Sequence, residues 1–355
     1  MKTRHHLYFS NAKHMAEIPS DSIDLVITSP PYPMIEMWDD LFSRLHPKIG
    51  NFLKKEKGIQ AFVLMHRELD AVWEEVFRVL KNGGFLCINI GDATRTLAGN
   101  FALYPNHSRI TARMTEMGLT VLPEILWRKQ TNAPNKFMGS GMLPAGAYVT
   151  LEHEYILIFR KGTKREFKTG QEKILRRQSA YFWEERNIWF SDVWTDVKGT
   201  VQNFLDNKVR KRSGAFPFEI PFRLIQMFSV YGDTVLDPFL GSGTTVFAAM
   251  ASARNSIGYE LETGLKDLIF SGCENILPFA QKRIRERREN HASFVKKRFE
   301  EKKALKYFNT YCNVAVMTTQ ERDLVFYEPE EIEKSSENVF MVRYRTNPAQ
   351  ECGNW

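Results

Sequence analysis

At 355 residues the chain can hold one large α/β domain or a core domain with a smaller insert, because single cores stop growing at about 250–300 residues. With 43% hydrophobic and 26% charged residues, general disorder is excluded, and no window approaches the ~18 uninterrupted apolar residues of a membrane span. The excess of 49 Lys and Arg over 42 Asp and Glu, +7 in all, favours a polyanionic partner.

The N-terminus, MKTRHHLYFSNAKHM, lacks the apolar core of a signal peptide, so a soluble intracellular protein is expected. Cys87, Cys273, Cys312 and Cys352 are far apart with no Cys-x-x-Cys pair, which points to reduced thiols and to no metal site. In chain order, SIDLVITS (Ser22–Ser29) reads as a short buried strand that runs into two prolines. A long amphipathic helix follows from about Ile59, expected to end at Gly83-Gly84, and then the buried strand FLCINIGD, which completes a β-α-β outline. HSRITARMTEMG reads as a helix, and LTVLPEILWRK and HEYILIFRKG as strands able to pair antiparallel across the loop QTNAPNKFMGSGMLPAGAYVT. That loop is too long for a plain connector, which suggests function.

From Arg160 to Arg177 eight Lys or Arg face two acids, and an aromatic stretch with Tyr181, Trp183, Trp189 and Trp194 follows. The α/β rhythm returns with the helix FPFEIPFRLIQMFS, where Pro217 lies near the start. Next comes TVLDPFLGSGTTVFAAM, a strand ending at Asp237, a glycine turn and a helix. Beyond Phe279 a charged helix leads into a region with strand-like pieces.

The glycine turn is the first place to look for a ligand. Gly241-Ser242-Gly243 after a buried strand lets a ligand approach the backbone and meet the open N–H groups of the helix that begins at Thr244. Both a dinucleotide and S-adenosylmethionine use such a turn. Thr244, Thr245 and Val246 after Gly243 break the G-x-G-x-x-G pyrophosphate pattern, and Glu260 at the end of the next strand suits a ribose with two free hydroxyls. The pocket therefore fits an adenosine group without phosphate.

TSPPY, Thr28 to Tyr32, placed before DPFLGSGTT, Asp237 to Thr245, resembles the beta class of amino-methyltransferases that act on DNA. AFPFEIPFRLI resembles the motif that in this class lies just before the cofactor motif. The resemblance covers roughly Tyr8–Gly162 and Ala215–Thr263. It implies a Rossmann-like, S-adenosylmethionine-dependent α/β fold with a mixed, mostly parallel seven-stranded sheet. Residues 1–162 would form the catalytic half, 163–214 a target-recognition insert, 215–278 the cofactor half, and 279–355 a C-terminal helical extension.

By the same resemblance, Ser29, Pro30, Pro31 and Tyr32 are catalytic. The Ser29 hydroxyl and Pro30 carbonyl would accept hydrogen bonds from a nucleobase amine, the prolines would hold them rigid, and Tyr32 would stack on a base turned out of the duplex. Asp237, Pro238, Phe239, Gly241, Ser242, Gly243, Thr244 and Glu260 would bind S-adenosylmethionine, with Phe216, Pro217, Thr28 and Asp92 beside them. Asp92 has the alternative role of capping the next segment. Asn132 and Asn135 would border the base, and Arg176, Arg177, Arg210, Lys211 and Arg212 would contact phosphates.

The partner implied is double-stranded DNA, with a cognate restriction endonuclease acting on the same sequence and no membrane; monomer and homodimer both stay open. Localisation would be cytoplasmic, at the nucleoid of a prokaryote. Within the family SPPY goes chiefly with N4-cytosine and D/NPPY with N6-adenine, so Ser29 points to cytosine. The alternatives are an N6-adenine enzyme, or an RNA or protein-glutamine methyltransferase.

Overall fold

The structure is a computed structural model and describes residues 1–129, 138–139, 141–198, 216–303 and 305–346. Alternating apolar side chains set its layers. In Ile23–Thr28 (β2), buried along its whole length, Leu25 and Ile27 face one core and Val26 the other. Parallel neighbours flank β2: Leu80–Ile90 (β3) on one side, and on the other Thr234–Asp237 (β11), followed by Asn255–Tyr259 (β12) and Lys2–Tyr8 (β1). Beyond β3 come the antiparallel His153–Lys161 (β9), then Leu119–Arg128 (β6) and Val193–Trp194 (β10). Beyond β1, Val339–Thr346 (β16) and Tyr327–Ser336 (β15) close the other edge.

Two short hairpins, Ala93–Leu97 with Asn100–Tyr104 (β4, β5) and Met138–Gly139 with Ala147–Tyr148 (β7, β8), follow β3 and β6. A third pairs Tyr307–Phe308 with Ala315–Val316 (β13, β14).

The main sheet is thus ten-stranded among the described residues, against the seven expected. The run from β6 to β1 contains seven strands; β10, from the insert, and the β15–β16 hairpin, from the C-terminal region, are added at its edges. Only β9 and β16 run against the others, so the mixed, mostly parallel reading holds. The C-terminal region is not simply helical: the length and period-2 pattern of VFMVRYRT let Phe340, Val342 and Tyr344 enter the main core.

Asp39–Leu45 (α1) and Pro47–Lys54 (α2) lead into Gly58–Val79 (α3), which buries Ala61, Met65, Leu69, Val72, Val76 and Val79 at helical spacing against one face of the sheet. That face also carries Asn106–Glu116 (α4). Helix α3 ends at Val79, before the expected Gly83-Gly84. Leu80 is already extended and paired with Ile23, and Gly83, at φ +83°, carries the bulge before Phe85 pairs with Leu25. A side chain there would press on the Arg165 backbone at 2.8 Å.

On the opposite face lie Glu219–Phe228 (α7), Thr244–Ala251 (α8), Lys266–Asn275 (α9) and Leu277–Glu300 (α10). The insert contributes Gly170–Gln178 (α5) and Trp183–Trp189 (α6). It does not stand apart from the C-terminal region. Phe182 shares a small core with Ile284, Val314, Val316, Leu324 and Phe326. Arg287 of α10 grips both oxygens of Glu185 at 2.6 and 2.8 Å, and His291 stacks on Phe182 at 3.7 Å while bonding Glu184. Helix α10 itself begins at Leu277 and runs on through the expected boundary at residue 279.

Candidate active site

The carboxyl ends of β2, β11 and β12 lie side by side, and the loops that leave them enclose a cavity of about 670 Å³. Ser29, Pro30, Pro31 and Tyr32 line one wall; Asp237, Pro238, Phe239, Gly241, Ser242, Thr244 and Glu260 line another, with Phe216 beside them. Two segments more than 200 residues apart are locked together here, because Thr28 Oγ1 donates to Asp237 Oδ1 at 2.6 Å. Asp237 also accepts from Thr245 Oγ1 at 2.6 Å and from the Phe239 N–H at 3.0 Å. Burial nevertheless pushes its pKa up to about 6.

Glu260 Oε2 accepts from the Gly241 N–H and Oε1 from the Glu262 N–H, each at 2.7 Å. Burial pushes its pKa up to about 7, against the pull of those two bonds. At the mouth, Arg44 of α1 reaches Glu262 at 2.7 Å, so the segment before α2 covers the pocket.

Several expected residues support the cavity rather than line it. Thr28 is buried behind Asp237. Gly243, at φ +92°, is the N-cap of α8, where a Cβ would meet the Phe247 ring at 2.8 Å. Pro217 precedes α7 and is not among the lining residues. Asp92 is the clearest correction as a cofactor ligand: its carboxylate accepts from the His107 N–H at 3.1 Å and bonds that ring at 2.7 Å, so it caps the start of α4, the alternative role that its position at a strand end allows.

Arg176 and Arg177 lie elsewhere too. Arg165 pairs with Asp233, just before β11, and Arg165 and Arg176 both stack on Phe167; Ser179, at the end of α5, bonds the Tyr231 N–H. Helix α5 therefore sits at the amino edge of the sheet, the length of β2, roughly 17 Å, from the cavity. Asn132, Asn135, Arg210, Lys211 and Arg212 lie outside the described residues.

The model of the N6/N4 DNA methylase family matches residues 23–271. The type II methyltransferase M.MthZI of Methanothermobacter thermautotrophicus is 52% identical over 353 residues, 99% of this chain and 98% of that protein. This chain belongs to the N6/N4 DNA methylases. M.MjaI, a type II methyltransferase of Methanocaldococcus jannaschii, is 53% identical to the methylase over 79% of this chain and 94% of its own. Among solved structures, TTHA0409 of Thermus thermophilus, whose assignment as a DNA modification methylase is itself provisional, has been determined with S-adenosyl-L-methionine. It is 32% identical, with a TM-score of 0.57, over 75% of this chain and 92% of that one. The cytosine-N4-specific PvuII DNA methyltransferase shares the fold at a TM-score of 0.52 and 18% identity, over 76% of this chain and 86% of that one.

S-Adenosylmethionine is the cofactor of the methylase, and the cavity fits it. Gly241, at φ +56°, opens onto the cavity: a Cβ there would meet nothing nearer than the Phe239 carbonyl at 4.0 Å, so the protein's own packing leaves that room free. Each Glu260 oxygen, with one backbone N–H satisfied, keeps a further acceptor direction.

Three polar residues at or behind the methylase cavity wall, Glu154 and Lys129 on it and Asn89 behind it, escape sequence reasoning. Tyr32 Oη accepts from Ser29 Oγ at 3.1 Å and from Asn89 Nδ2 at 2.8 Å, and donates to Glu154 Oε2 at 2.9 Å. Asn89 also donates to Glu154, and the Lys129 ammonium pairs with Oε1 at 2.7 Å. Burial, and then the Glu154 carboxylate, push the Tyr32 phenol well above its ordinary pKa, which keeps it a donor at neutral pH. The one available signal was polar residues at strand ends: Asn89 near the end of β3 and Glu154 near the start of β9.

Proposed function

We propose that the methylase transfers the methyl group of S-adenosylmethionine to the N4 amine of a cytosine turned out of duplex DNA, and so protects host DNA in the cytoplasm within a type II restriction-modification system. Its relatives M.MthZI and M.MjaI are type II methyltransferases, which supports the system; a restriction endonuclease cutting the same sequence is the expected counterpart. The observation that carries the choice of base is Ser29: a serine opens the motif where adenine enzymes chiefly have Asp or Asn, and it stands on the wall of the cofactor cavity.

Bound S-adenosylmethionine supplies a methyl group activated by its sulfonium. A cytosine amine is a poor nucleophile, since its lone pair is delocalised into the ring, so the protein's task is to orient it and free that pair. Ser29 gives its own proton to Tyr32, which leaves its lone pairs for the amine's N–H. The Pro30 carbonyl provides a second acceptor. Glu260 receives the ribose hydroxyls, and Phe216 and Phe239 enclose the cofactor's apolar parts.

Phosphate contacts are assigned to Arg210, Lys211 and Arg212 rather than to Arg176 and Arg177. Two residues flanking that cluster in sequence lie at the carboxyl edge: Val197 accepts from Trp127 Nε1 near the end of β6, and Phe216 lines the cavity. The test is the product. Duplex DNA treated with methyl-labelled cofactor and then hydrolysed to nucleosides should carry the label in N4-methylcytosine. Label confined to N6-methyladenine would move the assignment to adenine.

A further inference from the structure

Transfer to a nucleobase amine leaves the nitrogen with one proton too many, and a mechanism that orients the amine says nothing of where that proton goes. The hydrogen bonds behind Ser29 give it a route. Ser29 donates to Tyr32 at 3.1 Å and Tyr32 donates to Glu154 at 2.9 Å, so both hydroxyl protons point along one chain toward a carboxylate. Asn89 fixes the order of this chain by donating to both Tyr32 Oη and Glu154 Oε2, at 2.8 and 2.7 Å, which leaves the Tyr32 hydroxyl no role but donor toward Glu154.

We propose that Glu154 acts through Tyr32 and Ser29 as the acceptor of the proton released by the methylated amine. The proposal rests on Ser29 receiving the amine, and it holds for either base. As the amine's lone pair forms the new C–N bond, the methyl–sulfur bond breaks and its electron pair stays on sulfur, giving a neutral thioether. The cationic nitrogen then passes a proton to Ser29 Oγ, the Ser29 proton moves to Tyr32 Oη, and the Tyr32 proton moves to Glu154 Oε2. The products are a neutral methylated base and a neutral carboxylic acid, with Ser29 and Tyr32 restored.

The relay resets at the surface. Among the described residues, the charged and titratable groups that face Glu154 are the Tyr32 phenol from the loop after β2 and the Lys129 ammonium that follows β6; β3 contributes the neutral Asn89. The Lys129 side chain is 53% exposed while that of Glu154 is 11% exposed, so the proton can leave to water beside Lys129 after each turnover.

The test uses the full-length protein, unmethylated genomic DNA from a host that lacks it, and saturating labelled S-adenosylmethionine, so that cofactor affinity does not enter the rate. Glu154→Gln keeps the size and a carbonyl acceptor for Tyr32, and Tyr32→Phe keeps the ring. Each should lower kcat about 100-fold, the scale of a lost general base, with cofactor Kd within about twofold of the parent. The double variant should be no slower than the slower single variant, because both interrupt one path.

Parental kcat in E154Q would overturn the relay. So would a slow E154Q whose cofactor Kd is weakened as much as its rate, or losses that multiply in the double variant, since these belong to a merely structural contact. If the parent itself places no label on a nucleobase amine, the functional reading fails first; label on the amine with E154Q at full rate removes the relay alone.

Discussion

Glu260 is a carboxylate poised between two states. Its oxygens accept backbone N–H groups from Gly241 and Glu262, yet burial raises its pKa to about 7, so near neutral pH half the free protein carries it protonated. Ribose hydroxyls donate best to the ionised form. Because protonation turns one acceptor oxygen into a donor, cofactor affinity should fall as pH drops below about 7, the opposite sign to a group that must be charged by protons. At pH 6 roughly one tenth of the carboxylate is ionised, so the apparent Kd should rise about tenfold over its high-pH value if only that form binds. Calorimetric titration from pH 6 to 8, in buffers of differing ionisation enthalpy, should show both the change in Kd and proton release on binding. Glu260→Gln should bind weakly with little pH dependence; a flat Kd in the parent would assign the ribose to another residue.

At the scale of elements, contiguous signals were readable and assembled ones were not. TSPPY and DPFLGSGTT each sit on a single strand end, so Ser29, Asp237 and Gly241 could be placed from the order of strand, turn and helix. Glu154 reaches Tyr32 only because β9 lies antiparallel beside β3, which bonds partners 122 residues apart. No local pattern encodes that register. The position of α5 is assembled in the same way: its charges are visible in the sequence, but the pairing of Arg165 with Asp233 and the bond from the Tyr231 N–H to Ser179 show that it lies at the amino edge of the sheet. The salt dependence of DNA affinity separates the two basic clusters. Alanine at Arg210, Lys211 and Arg212 together should flatten the slope of log K against log salt by up to about 2.7, three phosphate contacts' worth, whereas alanine at Arg176 and Arg177 should leave it unchanged. Fluorescence anisotropy with a labelled duplex measures both, and a flattened slope in the Arg176 and Arg177 variant would return DNA to the amino edge.

For the whole molecule, the question is whether the C-terminal region is an appendage or part of the fold. A cut before Tyr327 would leave residues 23–271, the span shared with the family, intact, and on sequence grounds that piece should suffice. The sheet argues otherwise. β16 covers the edge of β1 from Lys2 to His6, and Tyr344 donates to the Met250 carbonyl at 2.7 Å and bonds Thr3 Oγ1 at 2.9 Å. Phe340, Val342 and Tyr344 are all at most 4% exposed within the main core. Side chains of this kind are worth about 1.5–3 kcal/mol each when buried, so losing three removes much of the ~5–15 kcal/mol that holds a domain folded. The cut would also open β1 as an unpaired edge beside a bare apolar patch, an invitation to strand-to-strand aggregation. A chain ending at residue 326 should therefore be insoluble or show no cooperative melting transition, while Phe340→Ala in the full chain should still fold but lose about 3–5 kcal/mol in urea denaturation. A soluble, cofactor-binding truncation would make the hairpin an accessory.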